Sequence, residues 1–271
     1  MVRPILAALF FLIVALPAPD ATATDGLDFS APEARRSVYR ITPAIDIPLI
    51  LAGAAGVVLP YAFSSPLITR TCPCDERSVN GFDRFVIGNH SNLAGLISDA
   101  TVGLSLAVPV MLALGTASDY PTLVEDLTVF VEALSITGAL VSITKVAISR
   151  PLPRVYEGDR ALLGSARGYR SFYSGHTTFA FAAMATTSVT IGLRYDRTLV
   201  PWLVTGLVGT SVAVERLLGG YHFPSDVIVG ALVGTAVGVA VPLLHARRPL
   251  FRMAVLPSAG GMMLSVVGSS R

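Results

Sequence analysis

The sequence predicts an all-α, polytopic membrane protein: a single helical bundle of about six transmembrane helices. Three observations predict it. Hydrophobic residues make up 52% of the 271-residue chain and charged residues only 14%, against about a quarter charged in an average soluble domain. The apolar residues gather into runs long enough to cross about 30 Å of hydrocarbon. Most of the arginines fall in the short stretches between those runs, where membrane-surface loops carry their charge. The arginines form no basic stripe and the net charge is only +2, which argues against nucleic acid as a partner.

The chain opens "MVRPILAALFFLIVALPAPDATA". A basic start, a short apolar core and Ala21-Thr22-Ala23 favour a signal sequence over residues 1–23, with an uncleaved anchor as the alternative. A polar segment, 24–46, leads into a membrane domain over 47–245, and 246–271 form a tail. The six expected spans run from about Ile47 to Phe63, Leu93 to Leu114, Leu127 to Ile148, His176 to Leu193, Leu199 to Val214, and Pro224 to Leu244. Pro48 is tolerable in an opening turn, and Gly, Ala, Ser and Thr recur where helices in lipid pack closely.

Asp99 and Glu132 lie inside spans. An ionisable group there is costly and usually faces the bundle interior; an interhelical hydrogen bond, or a site near the membrane surface, is favoured for each over a direct catalytic role. Cys72 and Cys74 flank Pro73, too close together for an easy disulfide and too few for a metal framework. The tail suits a small hairpin around Gly260-Gly261.

The remaining polar residues concentrate at three junctions: Lys145 to Arg170, "SFYSGHTTF", and "ERLLGGYHFPSDVIVG". These follow the third span, precede the fourth, and separate the fifth from the sixth, so all three lie on one membrane face. Lys145 is the only lysine in a chain that otherwise uses arginine. In "YHFPSDV", Pro224 suits a first helical turn. His222 and Asp226 then stand within reach, the arrangement a nucleophilic or general-base histidine needs. In "YSGHT", Ser174 and Gly175 open a span with free amides suited to an anion. His176 stands beside them as a proton donor. Arg216 offers a planar fork to phosphate oxygens, and Gly219-Gly220 permit a tight turn between it and His222. Each junction taken alone is also read blandly, as a helix cap, an interfacial histidine or a snorkelling arginine.

Taken together, residues 125–244 resemble the type-2 phosphatidic acid phosphatase and vanadium haloperoxidase superfamily. The third motif is intact as Arg216-x5-His222-x3-Asp226, with Glu215 where a Ser usually stands. The second reads Tyr173-Ser174-Gly175-His176, with Tyr in place of Pro. The first reads Lys145 followed by Arg150-Pro151-Leu152-Pro153, where the family often has "RPRP". Leu152 therefore replaces the family's phosphate-binding arginine, with Arg150 and Arg154 two residues to either side.

The resemblance implies a lipid phosphatase acting on a phosphomonoester or diphosphate through a phosphohistidine. His222 is then the nucleophile, His176 the acid and base, and Asp226 the orienting carboxylate. Lys145, Arg150, Ser174, Gly175 and Arg216 bind phosphate, with Arg154 as a substitute ligand. No metal or other cofactor is implied; the partners are a lipid phosphate and the bilayer, and the oligomeric state is not legible. The alternative is a weakened, non-catalytic relative that keeps the anion-binding fold. The soluble haloperoxidase branch is disfavoured by the spans. The expected location is a bacterial inner membrane with the site on the extracytoplasmic face, an arrangement that follows from a cytoplasmic N-terminus and that a cleaved signal sequence inverts unless one of the six spans is not a crossing. Arginine is nearly balanced between the two faces, and "HARRPLFR" favours a cytoplasmic C-terminus.

Overall fold

A computed structural model describes residues 37–72 and 74–247, and the backbone of 251–258 and 261–268. The expected signal sequence and most of the polar segment after it lie outside the described residues. Ten α-helices are described: α1 (Pro43–Ala62), α2 (Ser64–Leu67), α3 (Gly81–Arg84), α4 (Asn92–Thr116), α5 (Tyr120–Ile148), α6 (Pro153–Tyr156), α7 (Arg160–Leu163), α8 (Gly175–Tyr195), α9 (Leu199–Leu218) and α10 (Pro224–His245). The six long ones, α1, α4, α5, α8, α9 and α10, stand where the six spans are expected. In the tail, β1 (Phe251–Ser258) and β2 (Gly261–Gly268) pair antiparallel with Ser258 opposite Gly261, so the hairpin forms.

Helix starts follow from local chemistry. Ser91, Asp119 and Ser174 each accept a backbone N–H from three residues on, satisfying a donor that has no intrahelical partner. Pro121 and Pro224 occupy first turns, where their missing N–H costs nothing.

Four helices are long and apolar enough to cross a membrane: α1, α4, α5 and α10. The protein is thus a polytopic, helical membrane protein, with four rather than six spans carried by length and composition. The two left out are α8 and α9, and for α8 the reason is its position. It is enclosed by α4, α5, α9 and α10 and has no need of a lipid-facing apolar surface. Thr178, Thr187 and Thr190 occupy its interior and return their hydroxyls to carbonyls four residues back. The outer faces of α1 and α4 are instead a row of exposed apolar side chains, Leu51, Leu59, Leu96, Leu104 and Met111 among them, as a lipid-facing surface requires.

α8 and α10 approach so closely that Gly234 has no room for a side chain. A Cβ there would run into the Thr178 carbonyl, and one at Gly230 would lie 2.8 Å from the Ser174 carbonyl. This contact sets the entry of α8 against the entry of α10, which carry the second and third motifs. At the far end of the bundle, Arg194 grips both oxygens of Asp126 at 2.9 Å and Thr116 at 2.7 Å, tying α8 to α5 and α4.

Cys72 and Cys74 are joined in a disulfide, which corrects the expectation that they stay apart. They pack beside Ile68, Val155 and Tyr169, and Leu152 lies in the same apolar cluster.

Candidate active site

The loop between α9 and α10 needs a reversal within five residues. Gly220 supplies it with φ of +66°, and its α-carbon faces the Asn89 carbonyl so closely that no Cβ fits. The turn carries His222 into the interior, where it is 4% exposed. Asp226, one turn into α10, is fully buried. Its Oδ1 accepts from Arg150 at 2.5 Å, and its Oδ2 accepts from the Ser171 hydroxyl at 2.5 Å and the Phe223 N–H at 2.9 Å. His222 Nδ1 lies 3.6 Å from that same Oδ2, which leaves Nε2 as the nitrogen turned away from the carboxylate.

Around this pair the three junctions converge, as expected from the spans. Lys145, in the last turn of α5, is 9% exposed and donates to the Arg170 carbonyl at 2.5 Å. Its charge acts on both His176 and His222. His176, in the first turn of α8, meets Asp99 Oδ1 through Nε2 at 2.8 Å. The same oxygen accepts from Arg216 Nη1 at 3.3 Å. Asp99 therefore makes the interhelical contact expected of it, and does so inside the cluster.

Arg216 falls in the last turn of α9, which extends past the expected end at Val214. Its Nη1 also donates to Ser98 at 3.1 Å, while Nε has no hydrogen-bond partner. Arg216 and Arg154 both rest on the Tyr221 ring, 4.0 and 4.2 Å from its centroid.

The two arginines of the first motif have different surroundings. Arg150 is held by Asp83 at 2.8 Å and Asp226 at 2.5 Å, donates to Ser225, and lies over the Phe223 ring. Arg154 donates through Nε to the Gly219 carbonyl at 2.9 Å, and its buried Nη2 has no partner. Ser174 is also committed: its hydroxyl caps α8 and its N–H donates to the Asp226 carbonyl. Of the two amides expected to face an anion, Ser174's is thus occupied. Gly175 stands in the first turn of α8, where intrahelical carbonyls are lacking, and Lys145 passes 3.8 Å from where its Cβ would be.

Sequence reasoning missed Asp83, Ser171 and Ser225. Asp83 precedes the second span by nine residues and carries no motif, yet it is buried and accepts from Arg150, Ser225 and Asn80. Burial alone would raise its pKa, but the hydrogen bonds from Ser225 and Arg150 outweigh that and hold it below the usual carboxylate range.

For His222, burial is the largest influence, reinforced by Lys145 and Arg216 and opposed by Asp226. The result is a pKa held down to about 3. His222 is therefore neutral, with a lone pair available, over the whole physiological range. The unfolded chain takes up this proton near the ordinary histidine value of about 6.5, whereas the folded protein refuses it until about 3. Between those limits the unfolded state binds more protons, so stability falls as pH drops, by up to about 1.4 kcal/mol per pH unit for this one group. Thermal unfolding in detergent is expected to show that slope, and His222→Gln to reduce it.

The polytopic helical bundle thus gathers two imidazoles, a buried carboxylate and several cations at one end. Residues 126–249 match the family model described as the PAP2 superfamily. Among solved structures, the crystal structure of Aquifex aeolicus LpxE is similar at 25% identity and a TM-score of 0.42, covering 58% of this chain and 90% of that one. No curated protein matches the chain.

Proposed function

We propose that the protein is an integral-membrane lipid phosphatase that hydrolyses a phosphomonoester or diphosphate through a phosphohistidine at His222. The observation that carries this reading is the convergence of His222, His176, Asp226, Lys145 and Arg216 from four helices and one loop onto a single end of the bundle.

In this reading His222 Nε2 attacks phosphorus in line. The P–N bond forms as the bond to the lipid oxygen breaks, and His176 gives its proton to the departing alkoxide. Water then attacks phosphorus, His176 takes the water's proton, and the P–N bond breaks to release inorganic phosphate. Asp99, on His176 Nε2, positions that imidazole, and Asp226 stabilises the positive charge that develops on His222. Lys145, Arg216, Arg154 and the Gly175 amide neutralise the equatorial oxygens.

The missing family arginine is replaced by Arg154 rather than Arg150. Arg150 already serves two carboxylates, whereas Arg154 keeps a buried, unpartnered Nη2 beside Arg216. Leu152 packs in the cluster around Ile68, Val155 and Tyr169, so Leu152→Arg is expected to cost stability without restoring a ligand. Arg154→Ala is expected to lower kcat/KM about 100-fold, the effect of one transition-state donor. Phosphate release and thermal unfolding measured on both variants check this. An Arg154→Ala enzyme at full activity would return the role to Arg150.

Two further features support a lipid substrate and the membrane orientation. An apolar cavity of about 480 Å³ adjoins the Lys145 end of α5, lined by Leu59, Phe63, Leu67, Ile143 and Val146 among others, and suits an acyl chain. The Cys72–Cys74 disulfide lies in the loop between α1 and α4, on the face of the site. Disulfides persist in oxidising compartments, which favours an extracytoplasmic site, with α8 and α9 completing six crossings.

The test is phosphate release from phosphatidate, phosphatidylglycerol phosphate, polyprenyl diphosphate and lipid A phosphates in mixed micelles. Release from at least one lipid, exceeding that from a soluble phosphomonoester, is the expected result; no release from any of them contradicts the reading.

A further inference from the structure

At the opposite end of the bundle three helices bring together a second polar cluster. Asp46 lies in the first turn of α1, Glu132 in the middle of α5, and His245 in the last turn of α10. Thirteen residues of α5 separate Glu132 from Lys145, about 20 Å at the helical rise. The cluster is therefore independent of the phosphate site.

The ring orientation of His245 is fixed. Nδ1 lies 2.8 Å from the Val241 carbonyl, and only an N–H can make that bond, so Nδ1 is the protonated nitrogen. In the neutral tautomer Nε2 then presents a lone pair, and it faces Asp46 Oδ1 at 3.4 Å and Glu132 Oε2 at 3.5 Å. Three electron-rich atoms thus face one another inside the protein. Asp46 turns its other oxygen to the Thr42 N–H at 2.6 Å, leaving Oδ1 for the cluster. Glu132 is 3% exposed and its Oε2 has no hydrogen-bond partner. A buried carboxylate oxygen that accepts no hydrogen bond, beside a second carboxylate, is a costly arrangement. A cation placed between them removes that cost.

We propose that Asp46, Glu132 and His245 form a divalent-metal site for an ion of the zinc class. One imidazole nitrogen and two carboxylate oxygens are a borderline donor set, suited to Zn²⁺ rather than to the all-oxygen cages of Mg²⁺ or Ca²⁺. Ligands about 2.0–2.1 Å from a tetrahedral ion lie roughly 3.4 Å from one another, which is the separation His245 Nε2 shows to both carboxylates. All three donor atoms lie within 4.8 Å of one another, so the carboxylates need only a small closing movement. The Val241 carbonyl holding Nδ1 and the Thr42 amide holding Asp46 are the outer contacts that aim such ligands. A cavity of about 260 Å³, bordered by Arg40, Thr42 and Leu244, opens onto the cluster and admits the ion and a water as fourth ligand.

The consequence is structural. Asp46 is the one ligand outside the family-matched stretch, 126–249, which holds the other two. The ion would fasten α1 to α5 and α10, fixing an N-terminal helix onto the family core.

The experiment uses the tag-free, full-length protein in detergent, stripped with a chelator and titrated with Zn²⁺ by calorimetry. Co²⁺ substitution supplies a spectroscopic readout of coordination. One equivalent of Zn²⁺ per chain, a raised Tm and a tetrahedral Co²⁺ spectrum are expected. Glu132→Gln and Asp46→Asn, each nearly isosteric, should weaken binding at least tenfold while phosphate release is retained. Absence of stoichiometric Zn²⁺ binding by the wild-type protein overturns the proposal. So does equal binding by both variants, which would place the metal elsewhere.

Discussion

His222→Ala is expected to lower phosphate release from the preferred lipid by at least about 10⁴-fold, the scale seen when a covalent nucleophile is removed. The residue is 4% exposed and neutral, so its loss removes the attacking atom without leaving a buried charge unpaired. Folding should therefore survive, although the Tm will fall somewhat from the cavity left behind. A stable, inactive protein is the pattern that separates a chemical role from a packing one. His176→Ala should behave differently. The imidazole there touches Asp99 and serves as acid to the leaving group and then as base to water, so attack on a substrate with a good leaving group should persist while breakdown of the intermediate slows.

Asp226→Ala is expected to be damaging in two ways at once. The carboxylate is fully buried and binds Arg150, Ser171 and the Phe223 amide while facing His222. Its removal leaves the Arg150 guanidinium balanced by Asp83 alone and the Phe223 N–H without a partner. Breaking a buried pair from one side costs about 3–5 kcal/mol, and losing the orienting carboxylate costs up to about 10⁴ in kcat. Asp226→Asn keeps the shape and part of the hydrogen bonding. It should recover much of the stability and little of the activity. Thermal unfolding beside phosphate release on the two variants separates the contributions; an Asp226→Ala protein that is both stable and active would remove Asp226 from the account.

Much of the fold was legible because the bilayer imposes a length on every crossing. Long apolar runs located the six helices, although α5 begins at Tyr120 rather than the expected Leu127, and span parity alone placed Lys145, His176 and His222 at one end. The exceptions have local causes. The sequence pattern ends α9 at Val214 because Glu215 and Arg216 read as loop residues, whereas Arg216 stays helical with its charge met by Asp99 and Ser98. The composition of α8 falls short of a membrane span because its neighbours, not lipid, surround it. Asp83 was invisible because nothing in "NGFDRF" announces a carboxylate that will reach Arg150 across 67 residues.

Other residues were visible in kind but not in partner. Asp99 and Glu132 stood out as charges inside apolar runs. Only the packing shows that the first joins His176 and Arg216, and that the second faces Asp46 and His245 at the opposite end. The choice between Arg150 and Arg154 was likewise open in the sequence, since both lie two residues from Leu152. Their surroundings distinguish them: one is bound by two carboxylates, and the other keeps a free nitrogen.

The most direct test of the central claim is to quench the enzyme during turnover of a radiolabelled lipid phosphate and map the bound label by mass spectrometry. An acid-labile phosphohistidine at His222, absent from His222→Ala, is the predicted result. Label on any other residue, or full turnover by His222→Ala, would contradict it.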